Sequence, residues 1–329
     1  GTTYYYDDLG NLIHRELANG EVQNYFYDLH DQLVKAEIFK KDGSKETWAY
    51  SYDALGRRIG KGRLKNEEVS ETSFPHDLSG NDLENQTHFV WDGSHLLQEI
   101  HSDGRYTYIY TDPDSYEPLA QVRDWTTEDG ENRQQTHYFH CDQIGIPREM
   151  TDRDGRLLWF GDYDGSGRLD GETNITGAHQ PFRLQNQYFD AETGLHYNFF
   201  RYYDPHSGRF VTQDPIGLWG GENLYAFAPN AQGWVDPLGL DSISSPIIRF
   251  GNNPNQVHHT FRHIDEMGLD RERVKQEVTR DLSRCANSIP FGEPINREVT
   301  VDGQRIQYTA FRLPENILNV GRIHAAKVT

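Results

Sequence analysis

Two aspartates in a repeated five-residue phrase are the first residues of this chain that could do chemistry. The phrase Asp-Pro-x-Gly-Leu begins at Asp214 and again at Asp236, and its second copy ends at Leu240. An aspartate before Pro-x-Gly is typical of a turn, in which its carboxylate accepts backbone N–H groups. Two close carboxylates also cannot both ionise easily, so such a pair can supply an acid and a base together. The residues alone favour the turn.

A second group of reactive side chains follows, where the composition of the chain changes. Imidazole suits acid–base chemistry near neutral pH, and guanidinium groups bind phosphate through paired contacts. These are the requirements of metal-independent RNA cleavage. The candidate acid–base residues are His258, His259, His263 and His324, and the candidate substrate-binding residues are Arg262, Arg322, Tyr308 and Thr309. A cluster from the helix and one from the strands can converge on a single site.

The three helix histidines could alternatively bind a metal. His259 and His263 are four residues apart on one helix face, a spacing that suits zinc. The segment lacks the glutamate of a His-Glu-x-x-His motif and has no cysteine pair nearby. We therefore predict no metal and no cofactor.

The elements that must position these tail residues can be read from periodicity. Residues 257–268 predict a helix with Gly268 as its cap, and residues 270–286 predict a second helix that begins at Asp270. Strand-like segments follow at 297–301, 305–313 and 317–324, with an Asp-Gly turn between the first two. The tail is predicted to be a small α+β domain, two helices followed by an antiparallel sheet, preceded by a polar loop at 241–255.

The rest of the chain has the composition of a β protein with many turns. The 329 residues carry a net charge of −19, all of it on the residues before 241, yet aromatic residues make up 12%. That aromatic content argues against disorder. The acidic body would repel nucleic acid, whereas the nearly neutral, arginine-rich tail would tolerate it. No apolar run approaches the ~20 residues of a membrane-spanning segment.

A degenerate repeat runs through the first 60 residues. An aromatic residue, aspartate and a turn recur around Tyr6-Asp7, Tyr27-Asp28 and Tyr52-Asp53. Repeats of this length indicate stacked hairpins.

These residues resemble the YD repeats of Rhs and Tc-toxin shell proteins. The resemblance is most specific at 181–240, where the matching residues are Tyr188, Asp190, Glu192-Thr193-Gly194-Leu195, Tyr197-Asn198, Arg201-Tyr202-Tyr203-Asp204-Pro205, Gly208-Arg209-Phe210 and both Asp-Pro phrases. Asn186 stands where that family usually has glycine. The resemblance implies a mainly β shell of spiralling antiparallel hairpins at 1–180, a repeat-associated core at 181–240 and a C-terminal toxin domain at 241–329. The start at Gly1, in strand-like sequence, suggests a piece of a longer chain.

The same resemblance implies self-cleavage. Asp214 and Asp236 would form an aspartyl protease-like pair, and Leu240–Asp241 would be the bond that they cut. Arg201 or Arg209 could tune this pair, and the sequence does not choose between them.

The tail resembles, in its order of elements only, the toxin nucleases grouped with barnase, EndoU and the tRNA-cleaving colicins. We therefore predict a ribonuclease acting on tRNA or another structured RNA. The alternatives are an NAD-consuming or nucleotide-modifying toxin, a metal-dependent DNase, or a non-enzymatic YD-repeat binding or structural protein. The resemblance further implies an effector of interbacterial competition, secreted or injected by a secretion-system component, that acts in the target-cell cytoplasm and is neutralised by a cognate immunity protein.

Overall fold

A computed structural model describes residues 1–65, 82–112, 115–220, 222–227, 234–236, 238–240, 243–244, 247–251, 253–285, 289–313 and 317–326. The chain forms two compact units, one of residues 1–111 with 116–243 and the other of residues 112–115 with 244–329. Residues 1–180, apart from 112–115, and residues 181–240, predicted as separate domains, lie together in the first unit.

One antiparallel sheet dominates the first unit, with its strands in chain order. Its strands are β1 (Thr3–Tyr6), β2 (Leu12–Glu16), β3 (Val22–Tyr27), β4 (Leu33–Phe39), β5 (Lys45–Tyr52), β6 (Arg58–Leu64), β7 (Leu83–Asp92), β8 (His95–His101), β9 (Gly104–Tyr110), β10 (Pro118–Thr126), β11 (Asn132–Cys141), β12 (Pro147–Asp152), β13 (Leu157–Tyr163) and β14 (Leu169–Asn174). Each strand pairs with the one before it, which confirms the predicted antiparallel hairpins.

The aspartate of each repeat holds its own hairpin turn. In the first repeat, Oδ1 of Asp7 accepts the N–H groups of Leu9 and Asn11 at 3.0 and 2.8 Å. Asp28 and Asp53 accept the corresponding two N–H groups in their own turns. The aspartate therefore satisfies turn backbone groups that no strand partner reaches.

The tyrosine before that aspartate ties one hairpin to the preceding one. The hydroxyl of Tyr27 donates to the carbonyl of Leu12 at 2.9 Å, and that of Tyr52 donates to the carbonyl of Leu33 at 2.8 Å. The two residues of the recurring Tyr-Asp pair have different structural roles. Aspartate stabilises the local turn, and tyrosine fixes the neighbouring repeat.

A second antiparallel sheet packs against the large one. Its strands, in chain order, are β15 (Tyr188–Asp190), β16 (Leu195–Asn198), β17 (Arg201–Asp204) and β18 (Arg209–Phe210). Strands β16 and β17 are buried along their whole length. The shared core is rich in aromatic and aliphatic side chains, among them Tyr25, Tyr50, Tyr108, Trp159, Tyr188, Leu195, Tyr197 and Tyr202.

Buried ion pairs join the two sheets. Nη1 of Arg58 lies 2.5 Å from Oδ2 of Asp190, and both side chains are fully buried. Nζ of Lys61 lies 2.8 Å from Oδ1 of Asp190 and 2.9 Å from Oε2 of Glu192. Charges at such depth are tolerated only when they are paired, so these contacts fix where the second sheet docks.

Shorter elements follow the second sheet. Residues Gly217–Gly220 form a 3-10 helix, and β19 (Trp234–Val235) pairs with β20 (Ile243–Ser244). The two strands lie on either side of the predicted scissile bond. Asp241 itself is outside the described residues.

The second unit contains α1 (Pro254–Glu266), α2 (Arg271–Cys285), β21 (Ile247–Arg249), β22 (Pro294–Val301), β23 (Gln304–Leu313) and β24 (Ile317–Ala325). Its sheet has the order β21-β24-β23-β22. The predicted helices and antiparallel strands are present, but the sheet is mixed because β21 runs parallel to β24. The prediction of a loop at 241–255 missed β21, because its partner β24 is distant in sequence. No helix in the described part of the chain is long and apolar enough to cross a membrane.

Removing one partner of the buried pair Arg58–Asp190 should cost far more stability than removing one partner of an exposed pair. We expect Arg58→Ala to lower the free energy of unfolding by about 3–5 kcal/mol, because it leaves Asp190 buried without its main partner. Arg156→Ala is the control, since Arg156 is 75% exposed and pairs with Asp154 at 3.2 Å, and it should cost less than about 1 kcal/mol. Urea denaturation followed by tryptophan fluorescence measures both. Equal losses would contradict the docking role of Arg58.

Candidate active site

Arg201, the first residue of β17, contacts both predicted catalytic aspartates. Its Nη2 lies 3.1 Å from Oδ2 of Asp214 and 3.5 Å from Oδ2 of Asp236. The three side chains are at most 5% exposed. The structure therefore brings the two carboxylates to one guanidinium in a buried site. The guanidinium also lies 3.7 Å from the centroid of the Phe210 ring.

Arg209, the other arginine suggested by the sequence, lies elsewhere. Its guanidinium lies 4.5 Å from the centroid of the Tyr225 ring and 5.6 Å from that of Tyr6. Among the described residues, Arg201 is the arginine paired with the two aspartates. The sequence did not distinguish position 201 from position 209, because the choice depends on contacts with aspartates that are distant in sequence.

Asp214 both holds a turn and faces the arginine. Its Oδ1 accepts the N–H of Ile216 at 3.0 Å, and its backbone carbonyl accepts the N–H of Gly217 at 2.9 Å. Oδ2 is the oxygen that contacts Arg201. The turn interpretation and the paired-carboxylate interpretation are thus compatible, because they use different oxygens.

Asp236 is held next to the residue that precedes the predicted scissile bond. Its Oδ1 accepts the N–H of Leu240 at 3.0 Å. Its backbone carbonyl accepts an N–H from the Asn198 side chain at 2.8 Å. The Asp236 carboxylate therefore contacts Leu240, whose carbonyl carbon belongs to the predicted scissile bond.

The second Asp-Pro phrase is laid along the turn between β16 and β17. The N–H of Phe200 donates to the carbonyl of Leu238 at 3.2 Å, and Nε of Arg201 donates to the carbonyl of Gly239. Gly239 has a φ of 67°, and a Cβ there would lie 2.5 Å from the carbonyl oxygen of Asn198. Only glycine fits this conformation and this close approach.

Burial sets the protonation of the pair. It raises the pKa of Asp236 to about 6, against the opposing effects of the Leu240 N–H and the Arg201 cation, and the charge of Asp214 adds to the rise. Burial also lowers the pKa of Arg201, although both aspartates oppose that change. The contact between Arg201 and Asp236 is the longer of the two ion pairs, so it only partly offsets desolvation. Asp236 can therefore exchange a proton near neutral pH.

The tail histidines predicted on a helix lie on α1, where His258 and His259 are exposed and His263 is half-buried. The ring centroids of His258 and His259 lie 5.9 Å apart. Nη2 of Arg262 lies 3.3 Å from Nε2 of His263, whose Nδ1 lies 3.1 Å from Oε2 of Glu266. The helix thus presents imidazoles and a guanidinium together, as its periodicity predicted.

Tyr308 does not fit the substrate-binding role predicted for it. Its side chain is fully buried in the core between helices and sheet, and its hydroxyl donates to Oδ2 of Asp281 on α2. Asp281 also receives Nε of Arg297 at 2.7 Å. Strand alternation alone could not show that the Tyr308 face is the one covered by the helices.

The strand residues Arg322 and His324 are separated from the helix histidines. They flank Ile323, which is buried in the core that α1 covers, so their side chains point to the opposite face of the sheet. Thr309 is the register partner of Arg322 and shares that face. The expected convergence of a helix cluster with a strand cluster is therefore wrong. The unit instead offers two separate candidate surfaces.

The amino-acid sequence is similar to that of several known proteins. Residues 136–172, within the large sheet, match the family described as RHS protein. The chain is 37% identical to "Double-stranded DNA deaminase toxin A" of Burkholderia cenocepacia, over 80% of this chain and 19% of that protein. It is 31% identical to "Probable deoxyribonuclease RhsA" of Dickeya dadantii, over 86% of this chain and 18% of that protein.

A third relative is named for an RNA substrate. The chain is 27% identical to "tRNA3(Ser)-specific nuclease WapA" of Bacillus spizizenii, over 68% of this chain and 11% of that protein. Over most of its length the chain is therefore similar to proteins named as toxins and nucleases, one of which is named RhsA. The chain spans less than a fifth of the length of each of these three relatives. Their names give three different chemistries, so they do not fix the substrate of the tail.

Asp236 should make the first unit less stable as the pH rises through about 6. The folded pKa is about 6 and the unfolded one about 3.9, so the folded chain keeps its proton over a range where the unfolded chain loses it. The stabilisation is complete below about pH 4 and is lost as the pH rises past 6. We expect Asp236→Asn to reduce the stability difference between pH 5 and pH 7.5 by about 1 kcal/mol.

Urea titrations at both pH values measure this difference. Asp152→Asn is the control, because the Asp152 carboxylate also accepts turn N–H groups and its pKa is lowered by those hydrogen bonds. An unchanged pH dependence in Asp236→Asn would contradict the raised pKa.

Proposed function

We propose that this chain is part of an Rhs effector of interbacterial competition, which cuts itself after Leu240 and releases its tail as a toxin. The contact of Arg201 with both Asp214 and Asp236 carries this proposal. The hydrogen bond from Leu240 to Asp236 adds support, because it holds the adjoining peptide at the carboxylate.

The proposed reaction is hydrolysis of the Leu240–Asp241 bond by the aspartate pair. Asp214, which has the shorter ion pair with Arg201, takes a proton from water. Protonated Asp236 donates a hydrogen bond to the Leu240 carbonyl as hydroxide adds to its carbon. The carbonyl re-forms as the C–N bond breaks, and Asp214 passes the proton that it took from water to the amine nitrogen of Asp241, which leaves a carboxyl group on Leu240 and restores both aspartates. Arg201 holds the two carboxylates together and fixes the Gly239 carbonyl beside them.

Asparagine substitutions test this proposal without removing the turn. Asparagine keeps a side-chain oxygen that can accept the N–H of Ile216 or Leu240 but cannot transfer a proton as a carboxyl does. We expect Asp214→Asn and Asp236→Asn to remain one full-length chain where the parent gives two fragments, as judged by denaturing electrophoresis and intact mass.

Asp152→Asn is the matched control for that experiment. Asp152 holds a turn in the same way, but the arginine that it shares with Asp154 is 75% exposed and lies far in sequence from the predicted scissile bond, so this variant should cleave like the parent. Two fragments from Asp214→Asn or Asp236→Asn would refute the role of that residue. An N-terminus other than Asp241 on the small fragment would refute the assigned bond.

For the released tail we propose a metal-independent ribonuclease that acts on tRNA or another structured RNA. The exposed imidazoles and guanidinium of α1 support this, since they supply acid–base and phosphate-binding groups on one surface. The relative named as a tRNA-specific nuclease agrees with it. The relatives named for DNA deamination and deoxyribonuclease activity favour a second candidate, an enzyme acting on DNA.

The purified tail, residues 241–329, separates these candidates when it is incubated with total RNA, DNA or NAD in the presence of a chelator. We expect RNA cleavage, reduced at least about 100-fold when an acid–base group is removed. His259→Ala tests the helix surface, and His324→Ala tests the opposite sheet face. Arg305→Ala, an exposed residue paired with Glu298, is the control. Intact RNA together with growth arrest on expression in bacteria would exclude the ribonuclease.

The cellular setting is part of the same proposal. A secretion-system component would deliver the effector, the tail would act in the target-cell cytoplasm, and a cognate immunity protein would protect the producer. An immunity protein that covers an RNA-binding surface should be acidic.

A further inference from the structure

A buried glutamate between two histidines lies in the first unit, apart from the aspartate pair. Glu99 and His101 lie on β8, and His179 lies in the connection from β14 to β15. Nε2 of His101 lies 3.0 Å from Oε2 of Glu99, and Nε2 of His179 lies 3.1 Å from the same oxygen. We propose that Glu99, His101 and His179 form a binding site for one divalent transition-metal ion, with Zn²⁺ as the first choice.

The donor set has the composition and size that such an ion needs. Two imidazole nitrogens and one carboxylate oxygen are common Zn²⁺ ligands. The three ligand atoms lie within 4.8 Å of one another. Ligands about 2.0–2.2 Å from a tetrahedral ion are about 3.3 Å apart, so the Glu99–His contacts need only small adjustments to admit it.

The groups behind these side chains orient them for binding. Nδ1 of His101 lies 3.4 Å from Oγ1 of Thr87, a partner that lets Nδ1 carry the proton and leaves Nε2 free. The hydroxyl of Tyr108 donates to Oε1 of Glu99, and that of Tyr188 donates to Oε2 at 2.8 Å. Such outer contacts are typical of metal sites, in which ligands are themselves hydrogen-bonded.

The two histidines face a cavity that leaves a fourth position open. The cavity has a volume of about 410 Å³, and its lining includes His101, His179, Asp103 and Glu172. Glu99 is completely buried behind them, whereas the His101 and His179 side chains are 21% and 28% exposed. Three protein ligands with space for water resemble open zinc sites rather than closed structural ones. A bound ion would also tie the β14–β15 connection to β8.

The alternative is that Glu99, His101 and His179 only hydrogen-bond to one another and bind no metal. In that case both imidazoles donate Nε2–H to Glu99, and no ion binds. Sequence spacing gave only a faint signal for either arrangement, since Glu99 and His101 share a strand face but His179 is remote. Metal binding to the full chain distinguishes the two.

The test is titration of the purified full chain with ZnCl₂ by calorimetry, and with CoCl₂ by visible absorption. We expect one tight ion per chain, a Co²⁺ absorption band, and at least about tenfold weaker binding in His101→Gln and in His179→Gln. His140→Gln is one control, because His140 is exposed and contacts Thr151 on the same sheet. The double variant His259→Gln, His263→Gln is the other, because these residues offer helix spacing for zinc; it should retain the tight ion.

The proposal would be overturned if the parent bound Zn²⁺ no more tightly than the double variant His101→Gln, His179→Gln. If either variant fails to fold by circular dichroism, the unaltered chain still gives an answer. Zn²⁺ should raise its melting temperature and a chelator should reverse that rise, and no shift would equally overturn the site. Self-cleavage does not enter this readout, so the two proposals can fail independently.

Discussion

The buried ion pairs between the large sheet and the β15–β18 sheet are the constraint on which the first unit depends. Arg58 and Lys61 meet Asp190 with side chains at most 8% exposed, and Lys61 also contacts Glu192. Burial would raise the pKa of Asp190, but Arg58 and Lys61 outweigh it and the pKa is lowered; burial dominates at Glu192, whose pKa is raised. Apolar surfaces can slide past one another, whereas a buried charge accepts only a partner at the right position. These pairs therefore fix the docking of the second sheet as well as holding it.

The same docking determines where Arg201 stands. Strands β15, β16 and β17 are consecutive antiparallel neighbours, so fixing β15 through Asp190 also fixes β17. Asp190 pairs with Leu195 at the start of β16, and Arg201 pairs with Asn198 at the end of the same strand. Arg201 then projects its guanidinium to Asp214 and Asp236 while the preceding turn binds Leu238 and Gly239. The tyrosine–aspartate repeats build the large sheet, the buried ion pairs dock the second sheet on it, and the second sheet positions Arg201. The geometry of the paired carboxylates therefore depends on contacts between residues that are distant in sequence.

The local features were predictable, and the long-range ones were not. The turns follow from aspartate accepting nearby N–H groups, and Asp270 begins α2 by accepting the N–H of Arg273 at 2.9 Å. Asn186, which stands where the resembling family has glycine, has a φ of 59°, a conformation that asparagine tolerates. By contrast, the choice of Arg201, the parallel strand β21 and the burial of Tyr308 each depend on partners distant in sequence. Periodicity shows which residues share a face but not which face is covered.

The two Asp-Pro-x-Gly-Leu phrases show how identical local chemistry acquires different roles. Gly217, in the first phrase, has open space where a Cβ would stand, and Leu218 is 73% exposed. In the second phrase, Gly239 is pressed against Asn198, and the N–H of Leu240 is held by Asp236. The first phrase therefore contributes a carboxylate from an exposed turn, while the second contributes a carboxylate and a fixed stretch of backbone. This asymmetry gives a physical reason why the proposed cleavage would follow Leu240 and spare the chain after Leu218. In the part of the chain that the structure describes, the N–H of Leu240 is held by the carboxylate of its own phrase, and that phrase is fixed along the turn at Arg201.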